Sequence, residues 1–153
     1  MDTLDDLLAA EAIRLLKARY FRAMDTKQWD LLDAVFTSDA TCDYRGALAD
    51  PDAAEDASDA DLIAGRDAII AYIRSGLSTL VSAHQGFMPE IQISGPDTAS
   101  AIWAMTDVLK LHDSPIGEIR GYGHYHETYR KEGGQWRIAT LKLTRLRVDH
   151  VPR

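Results

Sequence analysis

The feature that most constrains the fold is a change of hydrophobic period near residue 82. Ahead of it, apolar residues recur at helical spacing. Beyond it come four strand-like runs, at about 84–94, 98–112, 118–132 and 135–149, punctuated by Gly95-Pro96, Ser114-Pro115 and Gly133-Gly134. Helices first and a succession of antiparallel strands after predict an α+β architecture. Strands of this length twist and coil, so the sheet curls against the helices. A curled sheet closed by helices leaves a pocket of the kind that takes a small ligand.

The first half carries the helices. Over residues 3–26, Leu4, Leu7, Leu8, Ala12, Leu15 and Leu16 recur at spacings of three and four, and Ile13, Tyr20 and Met24 extend the stripe. That stripe is expected to be the buried face. Thr3 with Asp6 resembles an N-terminal cap pair, and the helix should end near Asp25-Thr26. A short helix follows at about 29–36, then a short strand at 40–45. A helix should cover about 66–80, with Ile69, Ile70, Ile73, Leu77 and Leu80 buried. Between these, residues 47–62 hold six acids and no base. They read as a solvated loop. A calcium loop is the sharper alternative, but the glycine and distal glutamate that it needs are missing at the required spacing.

Composition narrows the function classes. A chain of 153 residues suits one domain, 1–153, with a sizeable core. The net charge of −7 argues against a nucleic-acid or anionic-membrane surface. The lone cysteine, Cys42, permits no disulfide within the chain and no cysteine-built zinc site, which suits a reducing compartment. Asp2, Asp5 and Asp6 stand where a secretory segment would be basic, and no apolar run is long enough to span a bilayer. The expectation is a cytoplasmic protein.

Several residues break local rules. Asp107 falls on the strand face shared by Ala99, Ala101, Trp103, Met105, Leu109 and Leu111. A buried carboxylate without a partner is costly, so it should have one; a bulge that turns it outward or a structural hydrogen bond is the alternative to a pocket role. Asp25 sits near a helix C-terminus, where its charge opposes the macrodipole. It is either a turn aspartate or the partner of an imidazole. His84, within Ser82-Ala83-His84-Gln85, lies well ahead of the other four histidines. It is either a strand-end histidine satisfied by backbone or a group that moves protons near neutral pH. Strict alternation puts His84 opposite Phe87, Ile91 and Ile93, unless Gly86 or Pro89 marks a bulge that resets the register. His124 and His126 share a strand face at a spacing that suits two metal ligands, but no third ligand is apparent, so no metal site is assigned. Tyr122, Tyr125 and Tyr129 are expected to pack in the sheet. Arg145 and Arg147 share a face by parity, and either can bind an anionic group or pair with an acid.

Taken in order, Arg19-Tyr20-Phe21-Arg22-Ala23-Met24-Asp25, Trp29-Asp30, Phe36-Thr37-Ser38-Asp39-Ala40, Ala83-His84, Gly121-Tyr122-Gly123-His124-Tyr125 and Gly134-Gln135-Trp136-Arg137-Ile138 resemble the SnoaL-like branch of the nuclear-transport-factor-2-like superfamily. Within it the chain is most similar to scytalone dehydratase and the bile-acid 7α-dehydratases. The resemblance covers nearly the whole chain. It implies a cone-shaped α+β barrel, with N-terminal helices packed on a strongly curved, mostly antiparallel sheet. It also implies an aspartate–histidine pair at Asp25 and His84, tyrosines at Tyr20 and Tyr44, a pocket aspartate at Asp107, and a late-strand arginine at Arg145 or Arg147.

The chemistry so implied is proton transfer without a cofactor. His84, oriented by Asp25, removes a proton beside a carbonyl. Tyr20 and Tyr44 donate to the developing enolate oxygen, and Asp107, kept protonated by apolar surroundings, helps a hydroxyl depart. Trp103, Met105, Phe87 and Tyr125 are expected to line the pocket, which suits an apolar cyclic hydroxy-ketone. Dehydration and isomerisation both fit. Two other classes stay open: a binding protein that uses the same pocket, and a non-catalytic subunit like the small subunits of ring-hydroxylating dioxygenases. A homodimer or higher homo-oligomer is expected from the broad sheet.

Overall fold

The structure is a computed structural model and describes residues 3–48, 51 and 58–153. Helix α1 (Leu4–Asp25) is followed by a 3-10 turn (Trp29–Ala34), strand β1 (Phe36–Asp43), a second 3-10 turn (Asp59–Asp61), the short strand β2 (Leu62–Ala64) and helix α2 (Arg66–Leu77). Four long strands complete the chain: β3 (Val81–Gly95), β4 (Thr98–Lys110), β5 (Ile116–Glu132) and β6 (Gln135–Pro152). They form one six-stranded sheet in the order β2-β1-β6-β5-β4-β3. Among the described residues only β1 and β6 pair in parallel. The architecture is α+β, as the pattern predicts. Of the acidic stretch 47–62, residues 49, 50 and 52–57 lie outside the described residues. Among the described residues no helix is long and apolar enough to cross a membrane.

Helix α1 begins where the cap predicts: the Thr3 hydroxyl accepts from the Asp6 amide at 3.1 Å. It ends in a turn that puts Lys27 in the left-handed region, φ 60°. There the Gln28 amide donates to the Ala23 carbonyl and the Lys27 amide to that of Met24. The stop leaves Asp25 on the last helical residue, beside β3.

The buried face of α1 differs from the expected stripe. Ile13, Leu16, Tyr20, Phe21 and Met24 face the sheet together with Lys17. Leu4, Leu7, Leu8 and Leu15 are 70, 57, 59 and 58% exposed. The helix carries two apolar stripes on opposite sides, and the one with the aromatic bulk is the one that packs. Strand β1 also starts earlier than expected and ends at Asp43, so Tyr44 and Arg45 belong to the turn after it.

Two bulges set the inner face. Between Phe87 and Glu90 the β3–β4 register shifts, and the extra residue Met88 has φ 39° and is 90% exposed. His84 and Gly86 therefore face inward ahead of the bulge, and Ile91 and Ile93 after it. The second lies between Tyr122 and Gly123 in the β5–β6 pairing, where three residues of β6, Arg145 to Arg147, span two of β5. It separates the two arginines that parity put together.

Candidate active site

Between the helices and the inner face of β4–β6 lies a cavity of about 280 Å³. Its wall is apolar, from Met24, Ile73, Leu77, Leu109 and Leu143. Tyr20, Tyr44, Tyr125, His84, Asp107 and Arg145 bring polar groups into it. A wider depression of about 530 Å³ lies on the other face of the sheet, lined by groups such as Glu90, His126 and Lys142. It lacks that convergence of an imidazole, a carboxylate and phenols.

His84 comes from the start of β3, and Asp25 from the end of α1. The His84 Nδ1 lies 2.6 Å from Asp25 Oδ1, and the His84 amide donates to Oδ2 at 2.8 Å. The Ser82 hydroxyl donates to the same carboxylate at 2.9 Å and accepts from Lys27 Nζ at 3.2 Å. Burial pushes the Asp25 carboxyl up, but the bonds from His84 and Ser82 outweigh it, and the group sits below its ordinary value. An ionised carboxylate only accepts, so Nδ1 carries a hydrogen, and in a neutral ring Nε2 is the nitrogen with the lone pair. That nitrogen is 3.9 Å from Asp107 Oδ2. The Phe21 ring lies parallel to the imidazole, within 10°, at 6.2 Å between centroids.

Asp107 is buried on the inner face of β4, where its strand pattern put it. Its partner is Arg145, whose Nη1 and Nη2 donate to its two oxygens at 2.8 and 3.0 Å. Asp107 thus accepts from a guanidinium on both oxygens. Arg145 also donates from Nε to the Ala47 carbonyl at 2.7 Å, which ties the turn after β1 across the pocket. Arg147 lies outside, paired with Asp149 at 2.7 Å, because the β6 bulge turns it over.

Tyr20 and Tyr44 meet at 3.1 Å between hydroxyls, and Tyr44 stacks on Tyr72 at 5.3 Å. Burial pushes Tyr20, Tyr44 and Tyr125 well above the ordinary phenol value, so they stay protonated donors. Tyr125 lines the cavity. Trp103 does not: it is buried deeper and donates its indole N–H to Tyr129 at 2.9 Å. Met105 sits behind Arg145, sulfur to Nη1 3.3 Å. Phe87 is on the other face of the sheet, half exposed, because the bulge follows it.

One feature the sequence reading missed is a buried ion pair under the pocket floor. Lys17 Nζ meets Glu127, which also accepts from Tyr129. The ammonium lies 3.6 Å from the Tyr125 ring centroid and 4.2 Å from that of Tyr20. Burial lowers the lysine against the opposing pull of Glu127. The sign was present: Lys17 falls in step with Ile13, Tyr20 and Met24, and Glu127 with Tyr125 and Tyr129. Among the described residues no group of three histidine, cysteine or acidic side chains could hold a metal ion; His124 and His126 lie on the outer face.

A helix layer over a sheet with an imidazole, phenols and an ion pair between them defines a small pocket protein of the curved-sheet α+β class. The model of the SnoaL-like domain matches residues 5–142, and the chain belongs to this family, in the nuclear-transport-factor-2-like superfamily. It is 30% identical over 143 residues to the protein of Gibberella zeae named "Probable cyclase FGR4", with 90% of this chain and 91% of that one covered. Its fold is similar to that of a Novosphingobium aromaticivorans protein provisionally named scytalone dehydratase (TM-score 0.79, 19% identity, 97% and 91% covered). It is similar also to a type 2 LinA hexachlorocyclohexane dehydrochlorinase (TM-score 0.80, 17% identity, 97% and 92% covered). These two likenesses establish the fold.

Proposed function

We propose that the protein is a small lyase or isomerase that moves a proton beside a carbonyl in an apolar cyclic hydroxy-ketone, with His84 as base and Asp25 as the group that orients it. One observation carries the reading: His84 holds Asp25 through Nδ1 at 2.6 Å and turns Nε2 into an apolar cavity. In this mechanism Nε2 takes the α-proton, and the electron pair moves onto the carbonyl oxygen, which accepts from the Tyr20 and Tyr44 hydroxyls once their mutual hydrogen bond opens. The imidazolium lies between two carboxylates, Asp25 and Asp107. It then gives the proton to the β-hydroxyl, which leaves as water, or to a carbon further along, which completes an isomerisation. Attack of the enolate on a second carbonyl closes a ring, an exit that suits the relative named a cyclase. Arg145, fixed by Asp107, orients a substrate oxygen. Each proton begins and ends on substrate, His84 or water, so this reading calls on no cofactor. It takes the chain as one domain working in the cytoplasm as a homo-oligomer.

The test is hydrogen exchange in D₂O, followed by proton NMR on a panel of cyclic β-hydroxy-ketones and β,γ-unsaturated ketones. Enzyme-dependent loss of the α-proton signal is expected for at least one. It should slow about 10²-fold or more in His84→Gln, the usual worth of a positioned general base, and slow clearly in Asp25→Asn. Exchange that survives His84→Gln unchanged would sink the assignment. Saturable binding with no exchange across the panel would favour the binding-protein reading.

A further inference from the structure

The outer side of α1 has no role in the pocket, yet it carries a patterned apolar stripe. Leu4, Leu8, Glu11, Leu15, Ala18 and Arg22 are spaced in alternating steps of four and three, with Leu7 alongside. Alternation of four and three is the pattern of a helix–helix seam. Every one of these side chains is exposed, and Leu4, Leu7, Leu8 and Leu15 are each more than half so. Single exposed leucines are ordinary; four on one side of three turns are a patch that marks a contact.

Charge says what the contact is with. Residues 4–11 carry Asp5, Asp6 and Glu11 and no base; residues 14–22 expose Arg14, Arg19 and Arg22 and carry no acid. Glu11 and Arg14 meet at 3.7 Å within the helix, while Asp5, Arg19 and Arg22 have no ion-pair partner among the described residues. A second identical helix laid antiparallel puts each acidic half against the partner's basic half, with leucines between and the macrodipoles opposed. A parallel copy would set acid on acid. A membrane surface would meet an acidic first half under a chain of net charge −7.

We infer that the leucine face of α1 is a self-association surface, in which two copies of the chain pack α1 against α1, antiparallel, about a two-fold axis. The contact is isologous and distinct from any pairing through the outer face of the sheet. It leaves both pockets open, because Tyr20 and Met24 point to the opposite side of the helix.

Sedimentation equilibrium from low to high micromolar concentration tests it on the whole chain. The wild type should sediment at twice the 17.0 kDa of one chain, or a higher even multiple. Leu8→Glu/Leu15→Glu should halve that mass with far-UV circular dichroism unchanged. A charge test needs no core change. Asp5→Arg/Glu11→Arg and Arg19→Glu/Arg22→Glu should each associate more weakly alone, and equimolar mixing should restore the wild-type mass. A wild type that stays monomeric, a mass untouched by Leu8→Glu/Leu15→Glu, or a mixture that fails to reassociate overturns the inference. So does a monomer whose stripe instead binds phosphatidylcholine–phosphatidylglycerol vesicles, which would name a lipid surface as the occupant.

Discussion

Asp25 gathers three hydrogen bonds beside the pocket: two from His84 and one from Ser82, whose own oxygen accepts from Lys27. These hold its carboxyl below the ordinary value of 3.8 despite burial. A folded-state value below the unfolded one means that the unfolded chain binds more protons in that window. The stabilisation is then full above the ordinary carboxylate range and is lost as pH falls through the folded value. Carboxyl carbon NMR should place the Asp25 midpoint below that of an exposed aspartate, and Ser82→Ala should move it up. A midpoint at or above the ordinary value would show that burial wins. The residues of this network were unevenly legible. His84, Asp25 and Asp107 announced themselves by breaking a pattern, and Tyr20 and Tyr44 by resemblance. Ser82 and Lys27 broke nothing, and only the turn that puts Lys27 in the left-handed region brings its ammonium to the serine.

At the scale of elements, the spacing of β5 shows why the pocket has room for an ion pair. Gly121 and Gly123 face inward where β4 offers Asp107 and β6 offers Arg145. A Cβ on Gly121 would lie 2.2 Å from both Arg145 Nη1 and Asp107 Oδ1; one on Gly123 would lie 1.9 Å from the Thr144 backbone oxygen. The first clash is with side chains that can part, the second with a strand that cannot. Gly121→Ala should therefore fold with a loss of about 1–3 kcal/mol and lose ligand binding, whereas Gly123→Ala should not yield a folded protein. Gly76→Ala, in α2 with nothing within 4 Å, should gain about 0.5–1 kcal/mol. Urea denaturation orders Gly121→Ala and Gly76→Ala against wild type, far-UV circular dichroism checks Gly123→Ala, and a Gly121→Ala as stable as wild type would refute the packing account. Elements were easier to read than their faces. Turn dipeptides and periodicity located the helices and four of the strands. A bulge inverts every side chain beyond it, so Arg147 was set beside Arg145 by a parity that the chain does not keep, while Phe87, expected in the pocket, stands ahead of its bulge on the face opposite His84. The leucines of α1 misled for a related reason: spacing identifies a stripe and says nothing of which of two stripes faces the sheet.

For the molecule as a whole, the parallel pairing of β1 with β6 joins the helical first half to the sheet of the second. β1 carries Cys42, 2% exposed, between β2 and β6 and beneath the helices. Burial pushes its thiol up to about 12, with a bond from Tyr44 opposing, so at pH 8 it is neither ionised nor reachable. Labelling must wait for β1 to leave the sheet. The β1–β6 bonds hold the ends of the topology together, and that departure exposes the core cluster of Ile13, Tyr20, Phe36 and Ile138. Opening at Cys42 should therefore cost the full unfolding free energy rather than a local fraction of it. Reaction with a thiol-specific chromogenic disulfide, measured at rising sub-denaturing urea, should report the same free energy and the same urea slope as far-UV circular dichroism. A labelling free energy well below the global value, with little urea slope, would instead mean that β1 and β2 detach as a flap while the four long strands stay folded.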